Sequence, residues 1–183
     1  MTEFNVQVLF ESTRAVLNAL LEGRAPDDDA DMSYEQQHDM LQVALWDLKT
    51  DEAEQLSDAI YDLRTGIRDV HDGLRPNPEL SAAVEARLST AIELRQQIAE
   101  RLRGLRPELA SLQRVDELLD ADKSSDDPFT GNVRAQLEFV NSLVGHVASE
   151  LASLRVAELG IPKASQQLLA LMERAVELLA TEK

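Results

Sequence analysis

The run 133-VRAQLEFVNSLVGHVASELASL-154 shows how this chain is built. Its apolar residues recur at steps of four and three in strict alternation: Val133, Leu137, Val140, Val144, Val147, Leu151 and Leu154. That spacing places all seven on one stripe of an α-helix, as in the seam of a coiled coil. A helix with such a stripe has to bury it against other helices, so the run predicts a helical bundle.

A line of small residues runs beside this seam: Ser142, Gly145, Ser149 and Ala152. Glycine inside a helix costs about 1 kcal/mol relative to alanine. The usual compensation is the close approach of another backbone. The line therefore predicts a tightly packed pair of helices rather than a ligand site.

The rest of the chain also has helical spacing, and no segment shows the alternation typical of a strand. The apolar stripes predict helices at about 4–22, 33–72, 78–103, 107–120, 131–159 and 162–181. Acidic loops are expected at 24–32 and 120–130. The predicted fold is all-α: an elongated antiparallel bundle of five or six long, kinked helical segments. At 183 residues, one domain covering 1–183 is expected.

Four glycines followed by a proline two or three positions later predict helix ends: Gly23 with Pro26, Gly73 with Pro76, Gly104 with Pro107, and Gly160 with Pro162. After Gly104 the apolar spacing continues to Leu119, which favours a kink over a reversal. Thr50 starts a run that can cap a new helix. Breaks and kinks near 50, 104–107 and 160–162 therefore stay open at this stage.

Helix starts have signals of their own. Residues 33–36, Ser-Tyr-Glu-Gln, form a capping-box pattern that predicts a helix start at Ser33. Asn77 and Asp127 each precede a proline, an arrangement that places a capping side chain before the first helical residue. These two positions predict the starts of further helices.

The chain has 34 acidic and 18 basic residues, a net charge of −16, and no cysteine. These numbers exclude cysteine-based metal sites and disulfides, and they disfavour direct binding to nucleic acid or anionic membranes. We find no apolar run long enough to span a membrane and no secretory signal, so a cytoplasmic protein is expected. An excess of arginine, 14 against four lysines, suggests a GC-rich, bacterial genome.

The negative charge is patterned along the chain. Residues 22–39 carry a net charge of −6, from seven acids and one base, and residues 116–127 carry −5, from six acids and one base. Residues 75–114 contain seven bases and five acids. We interpret this last region as a solvated face or a contact for an acidic partner, such as a second copy of the chain.

Helical bundles often hold metal sites, so the three histidines are candidate metal ligands. Glu35 and His38 form one Glu-x-x-His pair, His146 and Glu150 lie one helical turn apart, and His71 is the third histidine. A di-iron carboxylate site needs two Glu-x-x-His pairs, and this chain has one. A metal-binding bundle enzyme is therefore an alternative, not the preferred hypothesis.

Residues 120–126 resemble the start of a calcium-binding loop, with oxygen-bearing side chains at positions 1, 3, 5 and 7. Position 6 is Ser125 instead of glycine, and position 12 is Gly131 instead of the bidentate glutamate. A solvated acidic linker explains the segment better. Motifs for nucleophilic catalysis and for phosphate-binding loops are absent from the sequence.

The segment around Trp46 is the most informative one for function. One arc of the helix carries the apolar residues Met40, Leu41, Ala44, Leu45 and Leu48. Val43 and Trp46 lie on nearly the opposite arc, together with Asp39. A helix that is apolar on two sides either occupies the centre of its bundle or covers a partner with its second face. Trp46 is accordingly a core residue or, since tryptophan is enriched at binding hot spots, an interface residue.

These patterns predict a non-enzymatic protein–protein interaction module, such as an adaptor, a chaperone or a regulator, that uses an apolar helix face framed by acidic loops. The expected partner is another protein or a second copy in a homodimer. Cofactors, direct nucleic-acid contacts and membrane contacts are not expected. The alternatives are the metal-binding enzyme and an acidic mimic of nucleic acid that occupies a basic protein surface.

Overall fold

The computed structural model describes residues 5–25, 28–122 and 127–181, and for residues 28–33 the backbone alone. Within these ranges the chain is all-α and bundled, as predicted, and contains no strand. It has seven α-helices and one 3-10 helix, more segments than the five or six expected. None of the described helices is both long and apolar enough to cross a membrane. The helices are α1 (Val6–Leu21), α2 (Asp28–Leu48), α3 (Asp51–His71), α4 (Pro78–Leu105), α5 (Val115–Ala121), α6 (Pro128–Leu159) and α7 (Ile161–Thr181), with the 3-10 helix at Pro107–Leu109.

The described residues form two compact units. The first comprises the residues up to Asn77 and those from Ala152 onward, and the second comprises Pro78–Leu151. Helix α6 contributes to both, since it runs without interruption from Pro128 to Leu159. The expectation of a single domain stays a prediction.

The first unit is built from α1, α2, α3, α7 and the last turns of α6. Each neighbouring pair of α1, α2 and α3 is joined by a short connection, which favours antiparallel packing. Helices α3 and α7 are also antiparallel: Arg174, late in α7, donates to Glu52, early in α3, at 2.7 Å. The core of this unit contains Leu9, Leu41, Leu45, Ile60, Ile67, Leu168 and Met172.

Helix α3 packs closely against the end of α6 at Gly66. A Cβ atom at this position would lie 2.8 Å from Cγ2 of Val156 and 3.2 Å from Cα of Ser153. One turn further along α3, the Ser153 hydroxyl donates to Asp69 at 2.7 Å. The tight helix contact predicted for Gly145 therefore occurs at Gly66. Gly145 is exposed and a Cβ atom there would meet nothing within 4 Å, because it lies on the solvent-facing side of α6, away from the buried seam.

The second unit contains α4, the 3-10 helix, α5 and the first part of α6. Helices α4 and α6 run antiparallel, since Arg87 pairs with Glu150 at 3.9 Å and Arg95 donates to Asn141 at 3.1 Å. All seven residues of the seam quoted above are buried. The seam residues of this unit pack with apolar residues of α4 and α5, which include Ala91, Ala99, Leu102 and Leu118.

The helix predicted over 33–72 is two helices, α2 and α3. Lys49 takes a left-handed backbone conformation, with φ of 53°, directly after α2. Thr50 then caps α3 by accepting a hydrogen bond from the amide of Ala53 at 3.2 Å. The open question near residue 50 is thus resolved as a break, because a left-handed residue followed by a side-chain cap ends one helix and starts the next.

The helix predicted over 107–120 is confirmed only in its last part, where α5 begins at Val115. Helix α4 continues through Gly104 to Leu105, and Pro107 starts a single 3-10 turn before α5. Proline disfavours a helical conformation in the residue before it, and Arg106 has a non-helical φ of −126° and ψ of 73°. Arg103 holds the irregular segment in place by donating to the carbonyls of Leu112 and Gln113, each at 2.9 Å.

The two acidic loops are shorter than expected. Helix α2 begins at Asp28, so the capping-box pattern at 33–36 lies inside this helix, and much of the predicted loop 24–32 is helical. In the predicted loop 120–130, residues 123–126 lie outside the described residues. Asp127 caps α6 by accepting from the Thr130 amide at 3.0 Å, and the helix begins at Pro128 as the Asp-Pro pair indicates.

The helical glycines offer a stability test. We expect Gly66→Ala to lower the free energy of unfolding by about 1–3 kcal/mol, because its methyl group overpacks the contact with Val156 and Ser153. The matched change Gly145→Ala should raise it by about 0.5–1 kcal/mol, because an open helical site gains only helix propensity. Urea unfolding followed by circular dichroism measures both. Equal effects of the two substitutions would contradict the assigned α3–α6 contact.

Candidate functional site

Helix α2 has two different apolar faces. Its inner face carries four fully or almost fully buried residues at steps of four, three and four: Tyr34, His38, Leu41 and Leu45. The two leucines were predicted on this arc, but Tyr34 and His38 were not. Their spacing extends the same stripe by two turns, and this signal was present in the sequence.

The outer face of α2 carries Val43 and Trp46. Val43 is 54% exposed and Trp46 is 62% exposed, so the interpretation of Trp46 as a core residue is wrong. The two side chains lie three positions apart and are therefore neighbours on the helix surface. Trp46 is the only tryptophan of the chain, and most of its surface contacts solvent.

Carboxylates border this apolar pair. Asp39 lies one turn before Val43, Asp47 follows Trp46, and both are exposed. Within the described residues neither carboxylate is held in an ion pair or a hydrogen bond. The outer face of α2, defined here by Asp39, Val43, Trp46 and Asp47, thus combines a large apolar contact with two available negative charges. Leu41 and Leu45 hold the opposite side of the same helix in the core.

Glu35 and His38 lie in different environments, although they are only three positions apart. Glu35 lies at the surface and accepts from Arg68 at 2.7 Å, and it pairs with Arg64 at 3.3 Å. Two guanidinium groups therefore neutralise the carboxylate that a metal site would need. Sequence reasoning missed both arginines as partners, because they come from α3 and lie about thirty residues away in the chain.

His38 is fully buried, and its ring packs edge-on against Tyr34 with a centroid distance of 4.5 Å. Neither ring nitrogen has a hydrogen-bond partner among the described residues. Burial, with a smaller contribution from the positive charge of Arg64, lowers the pKa of His38 to about 3. The imidazole is therefore neutral at physiological pH and belongs to the core.

The remaining candidate ligands have local partners. His71 Nδ1 lies 3.3 Å from Asp72 at the end of α3. His146 is exposed, and its Nδ1 lies 2.8 Å from the carbonyl oxygen of Ser142. Glu150 pairs with Arg87. Within each unit, the described residues include no group of three or more histidine, aspartate or glutamate side chains that could hold a metal ion.

The calcium-loop pattern falls only partly on described residues. Residues 123–126 lie outside them. Asp122, the third position of the pattern, is buried and forms an ion pair with Arg106. Arg106 also donates to Glu108 at 2.5 Å, a bond that lowers the pKa of the Glu108 carboxyl and raises the pKa of Arg106.

Comparison with known proteins adds nothing to this geometry, because no family model, no curated protein and no solved structure matches the chain. The site has to be judged from its own residues.

The buried histidine predicts a pH dependence of stability. Its pKa of about 3 in the folded protein is below the unfolded value of about 6.5. Protonation therefore favours the unfolded state. The contribution of His38 is complete above pH 6.5 and is lost as the pH falls toward 3, at up to about 1.4 kcal/mol per pH unit.

We expect His38→Leu to remove the loss of stability that His38 causes as the pH falls. The variant should be at least as stable as the parent at pH 7, because the leucine leaves no buried nitrogen unpaired. Urea unfolding at pH 7.0, 6.0 and 5.5 measures the effect. His146→Gln, at an exposed histidine, is the control and should keep the parent's profile. If the free energy of unfolding changed with pH by the same amount in the parent and in His38→Leu, the burial of an unpaired imidazole would be contradicted.

Proposed function

We propose that the chain is a non-catalytic protein–protein interaction module, an adaptor, chaperone or regulator that binds its partner through the outer face of α2. The exposed Trp46 carries this proposal. Tryptophan is among the residues most enriched at interface hot spots, and its large surface yields much contact area for little loss of side-chain freedom. The bacterial cytoplasm expected from the composition is part of the proposal.

The neighbouring charges indicate what the partner surface looks like. Asp39 and Asp47 have no ion-pair partner within the described part of the chain, and the chain as a whole carries a charge of −16. A partner with an apolar pocket bordered by lysine or arginine would match both properties. Opposite charges of this kind speed association and select against acidic competitors.

The packing of the inner face of α2 supports the same proposal. The residues on its inner face are buried with almost no accessible surface, so the position of the helix is determined by the core of the first unit. The outer face is therefore presented in one conformation, and binding requires little ordering of the backbone. A preorganised surface loses less entropy on association than a flexible one.

The proposal is tested by comparing capture of a partner by three versions of the chain. The parent, Trp46→Ala and Phe139→Ala are immobilised in equal amounts and exposed to a lysate of the source cells. The retained proteins are quantified by mass spectrometry. Phe139 is the matched control, an aromatic residue that is 70% exposed on α6 and outside the proposed face.

We expect one protein to be retained by the parent and by Phe139→Ala, and Trp46→Ala to retain it at least about tenfold less, as for a hot-spot residue. The free energy of unfolding of Trp46→Ala should change by no more than about 0.5 kcal/mol, as is usual at exposed sites. Equal retention by Trp46→Ala and the parent would refute the proposal. Light scattering at several concentrations shows whether the partner is a second copy, since a dimer through α2 would dissociate in Trp46→Ala.

A further inference from the structure

A pocket of about 270 Å³ lies within the first unit, among α1, α2, α3 and α7. Its walls are mainly apolar and include Val16, Leu17, Leu20, Ile67 and Leu168. This volume is slightly below the range of sites for drug-sized ligands, which begins at about 300 Å³. The pocket therefore suits an organic molecule smaller than a drug, and it is separate from the outer face of α2.

One side of the pocket is basic, in contrast to the acidic chain around it. Arg64, Arg68 and His71 lie on one face of α3, at steps of four and three, and all three line the pocket. Of the described residues that line the pocket, Asp72 is the one with a carboxylate. Tyr34 lies beside the arginines, with the Arg64 guanidinium carbon 5.9 Å from the centre of its ring. A concave apolar surface with a few convergent polar groups is the usual form of a ligand site.

The hydrogen bonding of Arg64 is incomplete. Its side chain is only 13% exposed, and its Nη1 atom is buried without a hydrogen-bond partner among the described residues. Among the described residues, the one carboxylate that pairs with Arg64 is Glu35, which lies 3.3 Å from Nη2 and is shared with Arg68. A buried charged donor that lacks an acceptor is unfavourable, and native proteins seldom leave one without a reason. Arg64 lines the pocket, although Nη1 itself has almost no accessible surface. A small rotation of the guanidinium group would bring Nη1 to an anion in the pocket, which would supply the missing acceptor.

We infer that this pocket binds a small amphipathic carboxylate. The carboxylate group accepts hydrogen bonds from Arg64, and the hydrocarbon part lies against the side chains of α1, α3 and α7. A single negative charge fits better than two, because Glu35 already neutralises part of the arginine charge and the chain is strongly acidic. The apolar walls exclude a fully polar anion, which would lose its hydration without compensation.

The test uses octanoate as the probe and 1-octanol as its uncharged analogue, each titrated into the full chain at pH 7 and followed by calorimetry and amide chemical shifts. We expect saturable binding of one octanoate per chain, with the largest shifts on α1 and α3. Octanol should bind at least about tenfold more weakly, because it lacks the charge-assisted hydrogen bond. Octyl phosphate, with a second charge, should also bind more weakly than octanoate.

Substitutions then locate the binding. Arg64→Gln should weaken octanoate binding by about tenfold or more, the usual effect of removing a charged hydrogen-bond partner. Arg64→Lys should restore it only in part, because lysine lacks the planar fork of arginine. Arg14→Gln makes the same change of charge at an exposed arginine of α1 outside the pocket, and it should leave the affinity within twofold of the parent.

Leu20→Trp provides a second test that leaves Arg64 intact, since the larger side chain fills the pocket from α1 and should abolish binding. Circular dichroism confirms that each variant is folded. The inference is overturned if octanoate shows no saturable binding at millimolar concentration, if octanol binds as tightly, or if a folded Arg64→Gln or Leu20→Trp binds like the parent. None of these outcomes depends on Trp46, so the proposed interaction through α2 stands or falls separately.

Discussion

The burial of one apolar stripe along α6 is the constraint on which the rest of this structure depends. From Val133 to Leu154 the stripe is continuous and fully buried. A helix cannot leave so much apolar surface in water, so each unit supplies helices that cover its share. In the second unit α4 and α5 cover it. In the first unit α3 approaches the end of α6 so closely that only glycine fits at position 66.

Both proposed sites lie on helices that have apolar or charged residues in addition to those that pack in the core. Helix α2 buries Leu41 and Leu45 and still exposes Val43 and Trp46 on its other side. Helix α3 packs through Ile60 and Ile67 and also presents Arg64 and Arg68. Stability accounts for the inner faces of these helices. It does not account for an exposed tryptophan or for a buried guanidinium nitrogen that has no acceptor among the described residues, and the two proposals rest on these observations.

Particular elements show why the prediction of the fold succeeded and where it failed. The apolar stripes and the helix start at Asp127-Pro128 depend on residues close together in the sequence, so the sequence predicts them. The break at Lys49 was only one of two options, because an ordinary lysine in a left-handed conformation has no sequence signal. The irregular segment after Leu105 preserves the apolar spacing that suggested a kinked helix, and hydrogen bonds from Arg103 to the carbonyls of Leu112 and Gln113 stabilise it. Contacts over nine or ten residues do not appear in a helical pattern.

By itself, the sequence determined the all-α class, the buried stripe of α6 and the position of Val43 and Trp46 away from the buried arc of α2, because each follows from the period of a single helix. Tertiary structure decided which stripes face solvent, which glycine makes the close contact, and which charges meet. It placed His38, a candidate ligand in the sequence, in the core, and it brought Arg64 of α3 beside Glu35 of α2. The physical reason is that burial and charge pairing depend on neighbours distant in the chain, and helical periodicity carries no information about them.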